Sequence, residues 1–238
     1  MMSRNVLVVK NISREGPGSL DLVLKENEIT SRQIDLSRGE KIPDPARYSA
    51  VIVFGGPDSA NDQTRKMQEE LQTVKEICEQ EIPLLGVCLG MQVLVKANGG
   101  EVCPSPQKEI GWRDYEGNYF EVDVTEKGLA EPLLEGVNSP FKVFQLHGET
   151  VRLRPDMTLL GTGKYVETQL VRVGRNAYGI QGHIELTPPM LDEWLDQDRD
   201  LQMIDSSALR DGYRRIRKEY EQQGRKILTN FLKVAKLV

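Results

Sequence analysis

Pro83-Leu84-Leu85-Gly86-Val87-Cys88-Leu89-Gly90-Met91-Gln92 is the stretch on which the fold turns. The apolar run from Ile82 to Val87 reads as a buried strand, which stops at Cys88, and a helical pattern begins near Met91. Gly86 and Gly90 stand two positions either side of the cysteine, where a tight strand-to-helix turn leaves no room for side chains. Such a turn exposes the sulfur at the carboxyl end of a strand and at a helix N-terminus, where partial positive charge favours a thiolate. Cys88 is therefore a candidate nucleophile. Taken alone, the motif fits a small buried hydrophobe equally well.

Reading outward on the N-terminal side, Asn5 to Lys10 predicts a strand, Leu20 to Glu26 a short helix and Ile29 to Leu36 a weaker strand. Tyr48 to Phe54 is a second strong apolar run, halted by Gly55-Gly56-Pro57. From Thr64 to Glu81, Met67, Leu71, Val74 and Cys78 recur at helical spacing and predict an amphipathic helix whose apolar face takes in Cys78. Strands alternating with helices predict an α/β fold, a flavodoxin-like open and mostly parallel sheet with helices on both faces.

Beyond the helix stop at Asn98-Gly99-Gly100 the pattern changes. Short strand candidates around Trp112, Phe120, Phe144, Leu160, Val171 and Ile180 predict a small antiparallel extension, and Cys103-Pro104 reads as loop. Thr187-Pro188 supplies an N-cap and a first-turn proline for a helix carrying Met190, Leu191, Trp194 and Leu195. A charged helix from about Ser206 to Lys233 follows, with Tyr213, Ile216, Tyr220, Ile227 and Phe231 available to dock. Residues 1–238 are thus expected to form a single domain, with 196–238 as a C-terminal helical extension.

The 238 residues are 28% charged and 39% hydrophobic, the balance of an ordinary globular protein. A net charge of -5 leaves no basic surface for tracking phosphates, so no nucleic-acid partner is expected. No apolar run approaches a membrane span, and Met1-Met2-Ser3-Arg4 leads straight into a strand, so neither membrane attachment nor a signal peptide is expected. Three cysteines, Cys78, Cys88 and Cys103, are an odd number without metal-type pairing. They suit a reducing, cytoplasmic setting.

A cysteine nucleophile needs a base, and the chain has two histidines. His183 follows a strand-like segment, and Glu185 two positions on projects to the same side of extended backbone, where it can orient the imidazole. His147 also follows a strand and has Glu149 in the same relation. Spacing alone leaves both open.

Five blocks in order resemble the class I glutamine amidotransferase family, exemplified by the amidotransferase part of GMP synthase. They are Val53-Phe54-Gly55-Gly56-Pro57, Pro83 to Gln92, Glu109-Ile110-Gly111-Trp112, Gln145-Leu146-His147-Gly148-Glu149, and Gln181-Gly182-His183-Ile184-Glu185. The resemblance implies Cys88 as nucleophile and His183 with Glu185 as base and orienting carboxylate. It further implies an oxyanion hole from the N–H groups of Gly56 and Leu89, and assigns Gly55, Gln92, Gln145 and His147 to the substrate pocket. Two departures stand out: Ile184 replaces a usual proline, and Gly182 a more usual aromatic.

The function this implies is hydrolysis of the γ-amide of L-glutamine to glutamate and ammonia through a cysteine γ-glutamyl thioester. No cofactor or metal is expected, and the chain carries no P-loop or dinucleotide fingerprint that would mark a synthetase site of its own. Ammonia would then pass to a separate synthetase partner. The alternative is a γ-glutamyl peptide hydrolase using the same triad; the third reading is a catalytically silent binding or regulatory module.

Overall fold

In strands buried on both faces, alternate residues serve two different cores, and this dictates the layering. In the computed structural model, which describes residues 4–238, β1 (Asn5–Lys10) sends Val6 and Val8 into one core and Leu7 and Val9 into the other. The first core is closed by α1 (Ser19–Glu26) through Leu20, Val23 and Leu24. After β2 (Thr30–Asp35) and β3 (Ala50–Val53), α2 (Arg65–Glu79) closes the second through Met67, Val74 and Ile77. The next elements are β4 (Leu84–Val87) and α3 (Leu89–Ala97), and α3 lies on the same side as α2.

The chain then leaves the parallel frame. β5 (Glu101–Gly111) pairs antiparallel with β8 (Gln145–Arg152) as a separate two-stranded ribbon. Between them lie β6 (Glu121–Val124), the short α4 (Glu126–Leu129) and β7 (Phe141–Lys142). β9 (Thr158–Thr162), β10 (Leu170–Val173) and β11 (Ala177–Ile180) lead back, followed by α5 (Pro188–Gln197) and α6 (Ser206–Val234). Among the described residues the main sheet runs β2-β1-β3-β4-β11-β10-β9-β6-β7. Strands β2 to β11 in that order are parallel, and the remainder is the predicted antiparallel extension.

Four expectations are corrected. The strand at Ile180 belongs to the parallel frame: one edge of β11 pairs antiparallel with β10, as their short connection requires, and the other lies parallel to β4 with Ile180 opposite Val87. Cys103 and Pro104 lie in β5 and not in a loop; a register shift between Pro104 and Glu109 absorbs the prolines. No strand forms at Trp112, which directly follows β5, or at Phe144, which meets His183 through an isolated bridge. On α2 the buried face is Met67, Glu70, Val74 and Ile77, with Leu71 and Cys78 only partly covered. Glu70 turns inward because the Asn11 side chain donates to it at 2.7 Å.

The C-terminal helices fold as the pattern predicts. Pro188 opens α5 after Thr187, although the Thr187 hydroxyl makes no capping bond. Asp205 caps α6 by accepting from Ser207 N at 2.8 Å, and Tyr213, Ile216, Tyr220, Ile227 and Phe231 are all buried. No helix among the described residues is long and apolar enough to cross a membrane.

Candidate active site

The parallel frame collects its functional loops at the carboxyl ends of β1, β3, β4 and β11, where open α/β sheets place their sites. Cys88 ends β4 with φ 52° and ψ -110°, a backbone region that residues with side chains rarely occupy. Its N–H donates to Ile180 O at 2.8 Å, which anchors the turn to β11. The flanking glycines are sterically required. A Cβ on Gly86 would lie 2.4 Å from Gly90 O, and one on Gly90 only 2.1 Å from Val53 O. The strained geometry, of the order of 1–3 kcal/mol, holds the sulfur at the floor of a cavity of about 370 Å³.

Because β11 runs beside β4, its continuation carries His183 to the same place. His183 Nδ1 meets Glu185 Oε1 at 2.8 Å, and the other Glu185 oxygen accepts from Ile184 N at 2.9 Å. Both side chains are buried. Burial works against charge on the imidazole, but Glu185 and the Cys88 sulfur outweigh it and hold His183 well above its ordinary pKa. Nε2 is buried without a geometrically complete hydrogen bond, so the ring edge that senses the sulfur is uncommitted.

His147 is built differently. Its Nδ1 faces the backbone oxygen of Glu149 at 3.0 Å, and its Nε2 faces Glu109 Oε2 at 3.0 Å. Both nitrogens are spent on the protein, and the ring serves as cavity wall. The Glu149 side chain, two positions on, does not supply the partner that the shared spacing with His183-Glu185 suggests.

The remaining predicted residues divide. Leu89 N, at the first position of α3, and Gly56 N, after β3, donate to no acceptor among the described residues, and both residues line the cavity with Cys88. Gly55 is wedged against the centre: a Cβ there would lie 3.3 Å from Cys88 Cβ and 3.2 Å from His183 Cε1. Gln92 lines the cavity, with its amide nitrogen held by Glu149 O at 3.1 Å and Gln181 Oε1 at 3.3 Å. Gln145 lies outside the cavity lining, and its amide nitrogen donates to Gln169 Oε1 at 2.8 Å.

Four further residues shape the site, of which only Gln181 falls within one of the five blocks, and there without an assigned role. Gln181 Nε2 points at Cys88 Sγ from 3.8 Å, a donor suited to a thiolate. The Trp194 ring stands edge-on to His183 with centroids 4.8 Å apart. Tyr220 Oη donates to His183 O at 3.1 Å and accepts from Leu186 N at 3.0 Å, tying α6 to the segment that carries His183 and Glu185. Glu15, on the loop after β1, is buried beside Gly55. Its position at a strand's carboxyl end, before Gly16-Pro17-Gly18, is the one signal that sequence offers for it.

A positive-φ cysteine on a strand-to-helix turn, a carboxylate-bound imidazole from the adjacent strand and two unengaged backbone N–H groups define a thiol enzyme of the α/β class. Residues 20–197 match the family model of glutamine amidotransferase class-I, and the chain belongs to that family of cysteine-dependent enzymes. The glutamine amidotransferase-like protein YfeJ of Salmonella typhimurium is 31% identical over 182 residues, covering 72% of this chain and 71% of its own. GMP synthase of Neisseria meningitidis is 30% identical over 58% of this chain, but the match spans only 24% of that longer protein. A glutamine-hydrolyzing GMP synthase subunit of Ignicoccus hospitalis is 30% identical over 60% of this chain and 70% of its own. Among solved structures, a glutamine amidotransferase from Thermotoga maritima superposes with a TM-score of 0.85 at 28% identity, covering 98% of each chain. Another from Methylobacillus flagellatus gives 0.82 at 26% identity, over 97% of this chain and 95% of its own.

Proposed function

We propose that the protein hydrolyses the γ-amide of glutamine through a γ-glutamyl thioester on Cys88. The observation that carries this reading is the buried His183–Glu185 pair beside the strained cysteine, with Nε2 uncommitted while both nitrogens of His147 are engaged. The Cys88 thiolate attacks the amide carbon, and the developing oxyanion takes hydrogen bonds from Leu89 N and Gly56 N. Donors fixed in advance stabilise it without reorganisation. The imidazolium of His183 gives its proton to the departing nitrogen, and the carbon–nitrogen bond breaks. Water then loses a proton to the same ring, attacks the thioester and restores the thiolate. Glu185 holds the ring and stabilises its charge throughout.

The likeness to the Ignicoccus hospitalis protein, itself one subunit of a GMP synthase, supports a separate synthetase as recipient of the ammonia. A second reading, hydrolysis of γ-glutamyl peptides, draws on the charged cavity mouth, where Arg14 pairs with Asp198 at 2.8 Å and Lys108 with Asp200 at 2.6 Å. One assay separates them. Purified protein is offered glutamine and a panel of γ-glutamyl dipeptides, and glutamate release is followed for wild type and Cys88→Ala. Turnover of glutamine by wild type alone supports the first reading, and dipeptide turnover with poor glutamine turnover the second. Equal activity in the alanine variant would overturn both.

A further inference from the structure

Glu15 is 4% exposed, yet no hydrogen bond to its carboxyl group from any described residue exists. A carboxyl group that lines a cavity without a protein donor keeps its acceptor capacity for a ligand, and its placement is informative. It lines the cavity together with Cys88, and its Oε2 lies 2.2 Å from the point where a Cβ on Gly55 would stand. Around that same point are His183 Cε1 at 3.2 Å and Cys88 Cβ at 3.3 Å. The missing side chain of Gly55 therefore makes room for the Glu15 carboxyl group, at a point that the imidazole and the nucleophile also border.

The substituents of the reacting carbon have assigned directions once the proposed mechanism is adopted, and the inference rests on that reading. The oxygen goes to Leu89 N and Gly56 N, and the glutamyl chain extends along the wall formed by Gln92, His147 and Glu149. The departing nitrogen must face His183, from which it takes its proton. Glu15 lines the cavity with Cys88 and lies close enough to His183 for each to act on the other's charge. Burial pushes Glu15 up to about 7 against the pull of His183 and Arg14, with Glu185 and Asp198 adding to the rise. An acceptor oxygen without a protein donor gains most when a ligand N–H arrives.

We propose that Glu15 is the leaving-group contact: its carboxyl oxygen accepts a hydrogen bond from the N–H of the scissile amide and aims that nitrogen at His183. No proton is transferred to Glu15. The carbon–sulfur bond forms, the carbon–nitrogen bond breaks, and the proton that the nitrogen gains comes from His183.

The test compares L-glutamine with the γ-methyl ester of L-glutamate, whose leaving oxygen carries no hydrogen to donate. Values of kcat/KM are measured, since they report steps only as far as acylation. In Glu15→Met the value for glutamine is expected to fall about tenfold or more, that of one charge-assisted hydrogen bond, while the ester changes less than about twofold. Glu15→Gln keeps an acceptor oxygen but no charge and falls between; it carries the comparison alone if Glu15→Met does not accumulate as folded protein. Equal losses on both substrates, or no loss on glutamine, would overturn the assignment and leave the proposed function standing. A wild type inert toward both substrates would refute the proposed function and the assignment with it.

Discussion

Tyr220→Phe removes a single oxygen more than thirty residues from His183 in sequence and in hydrogen-bond contact with its backbone. The hydroxyl accepts from Leu186 N at 3.0 Å and donates to His183 O at 3.1 Å, so it bridges both ends of the segment that carries Glu185. Burial first, and the neighbouring Glu185 charge second, raise the phenol well above its ordinary pKa, which keeps it a donor. Phenylalanine retains the edge contact with Trp112, at 4.9 Å between centroids, so the loss is confined to the two bonds. They are unequal. His183 O keeps a second partner, Phe144 N at 3.1 Å, whereas Leu186 N is left without an acceptor. Stranding one buried N–H costs about 1–3 kcal/mol. In a domain of this size about 2 kcal/mol lowers Tm by roughly 4–8 °C. Because the imidazole is aimed through this backbone, kcat for glutamine should fall about three- to tenfold with KM much less affected. Thermal unfolding and steady-state glutaminase kinetics on the purified variant decide it. A Tm within about 1 °C of wild type together with unchanged kcat would refute the claim that α6 holds the catalytic segment.

Glu185→Gln should lower activity by about a hundredfold or more, since the amide can still orient Nδ1 but cannot balance the imidazolium. Glu185 raises His183, so its removal moves the alkaline limb of kcat/KM to lower pH, read from kcat/KM for glutamine measured across pH. Glu70 is pushed up to about 7 by burial, against the Asn11 hydrogen bond and Lys66, with Asp58 adding to the rise, so folding takes up a proton between about pH 4.5 and 7. Stability is lost as pH rises through that window, and Glu70→Gln should unfold later than wild type at pH 8, by up to about 3 kcal/mol in urea titrations, while matching it near pH 4.

What sequence made legible is what short-range chemistry determines. The turn at Cys88 follows from glycines two positions away and an apolar run directly before it, and α6 from a buried face spaced along a single helix. The failures that matter for the site involve partners far along the chain. The parallel edge of β11 belongs to β4, roughly ninety residues earlier, while its local pairing with β10 suggests only a hairpin. Leu71 looks more apolar than Glu70, and only Asn11, on another loop, turns the helix the other way. The two His-x-Glu motifs are identical in spacing, but Glu185 reaches its histidine with a side chain whereas Glu149 offers a backbone oxygen, and the carboxylate at His147 comes from β5.

The same long-range partners explain how an unfavourable site persists. A cysteine at φ 52° and a carboxyl group with no donor among the described residues line one cavity, and a buried imidazole held toward its charged form stands next to the cysteine. Each raises the energy of the fold, and none is relieved by the loops that carry them. Relief comes from the C-terminal third. Trp194 packs on His183 and ties its own Nε1 to Arg14 O at 2.9 Å, next to Glu15. Tyr220 clamps the backbone at both ends, and Gly224 lets α6 approach so closely that a Cβ there would stand 2.1 Å from Ile184 O. That approach bears on the Ile184 departure from the family pattern. Proline at this position would lack the N–H that Ile184 donates to Glu185, so the isoleucine gives the carboxylate an extra donor. The C-terminal helix is therefore a working part of the frame around Cys88 and His183, which can be strained because Trp194, Tyr220 and Gly224 hold their surroundings in place.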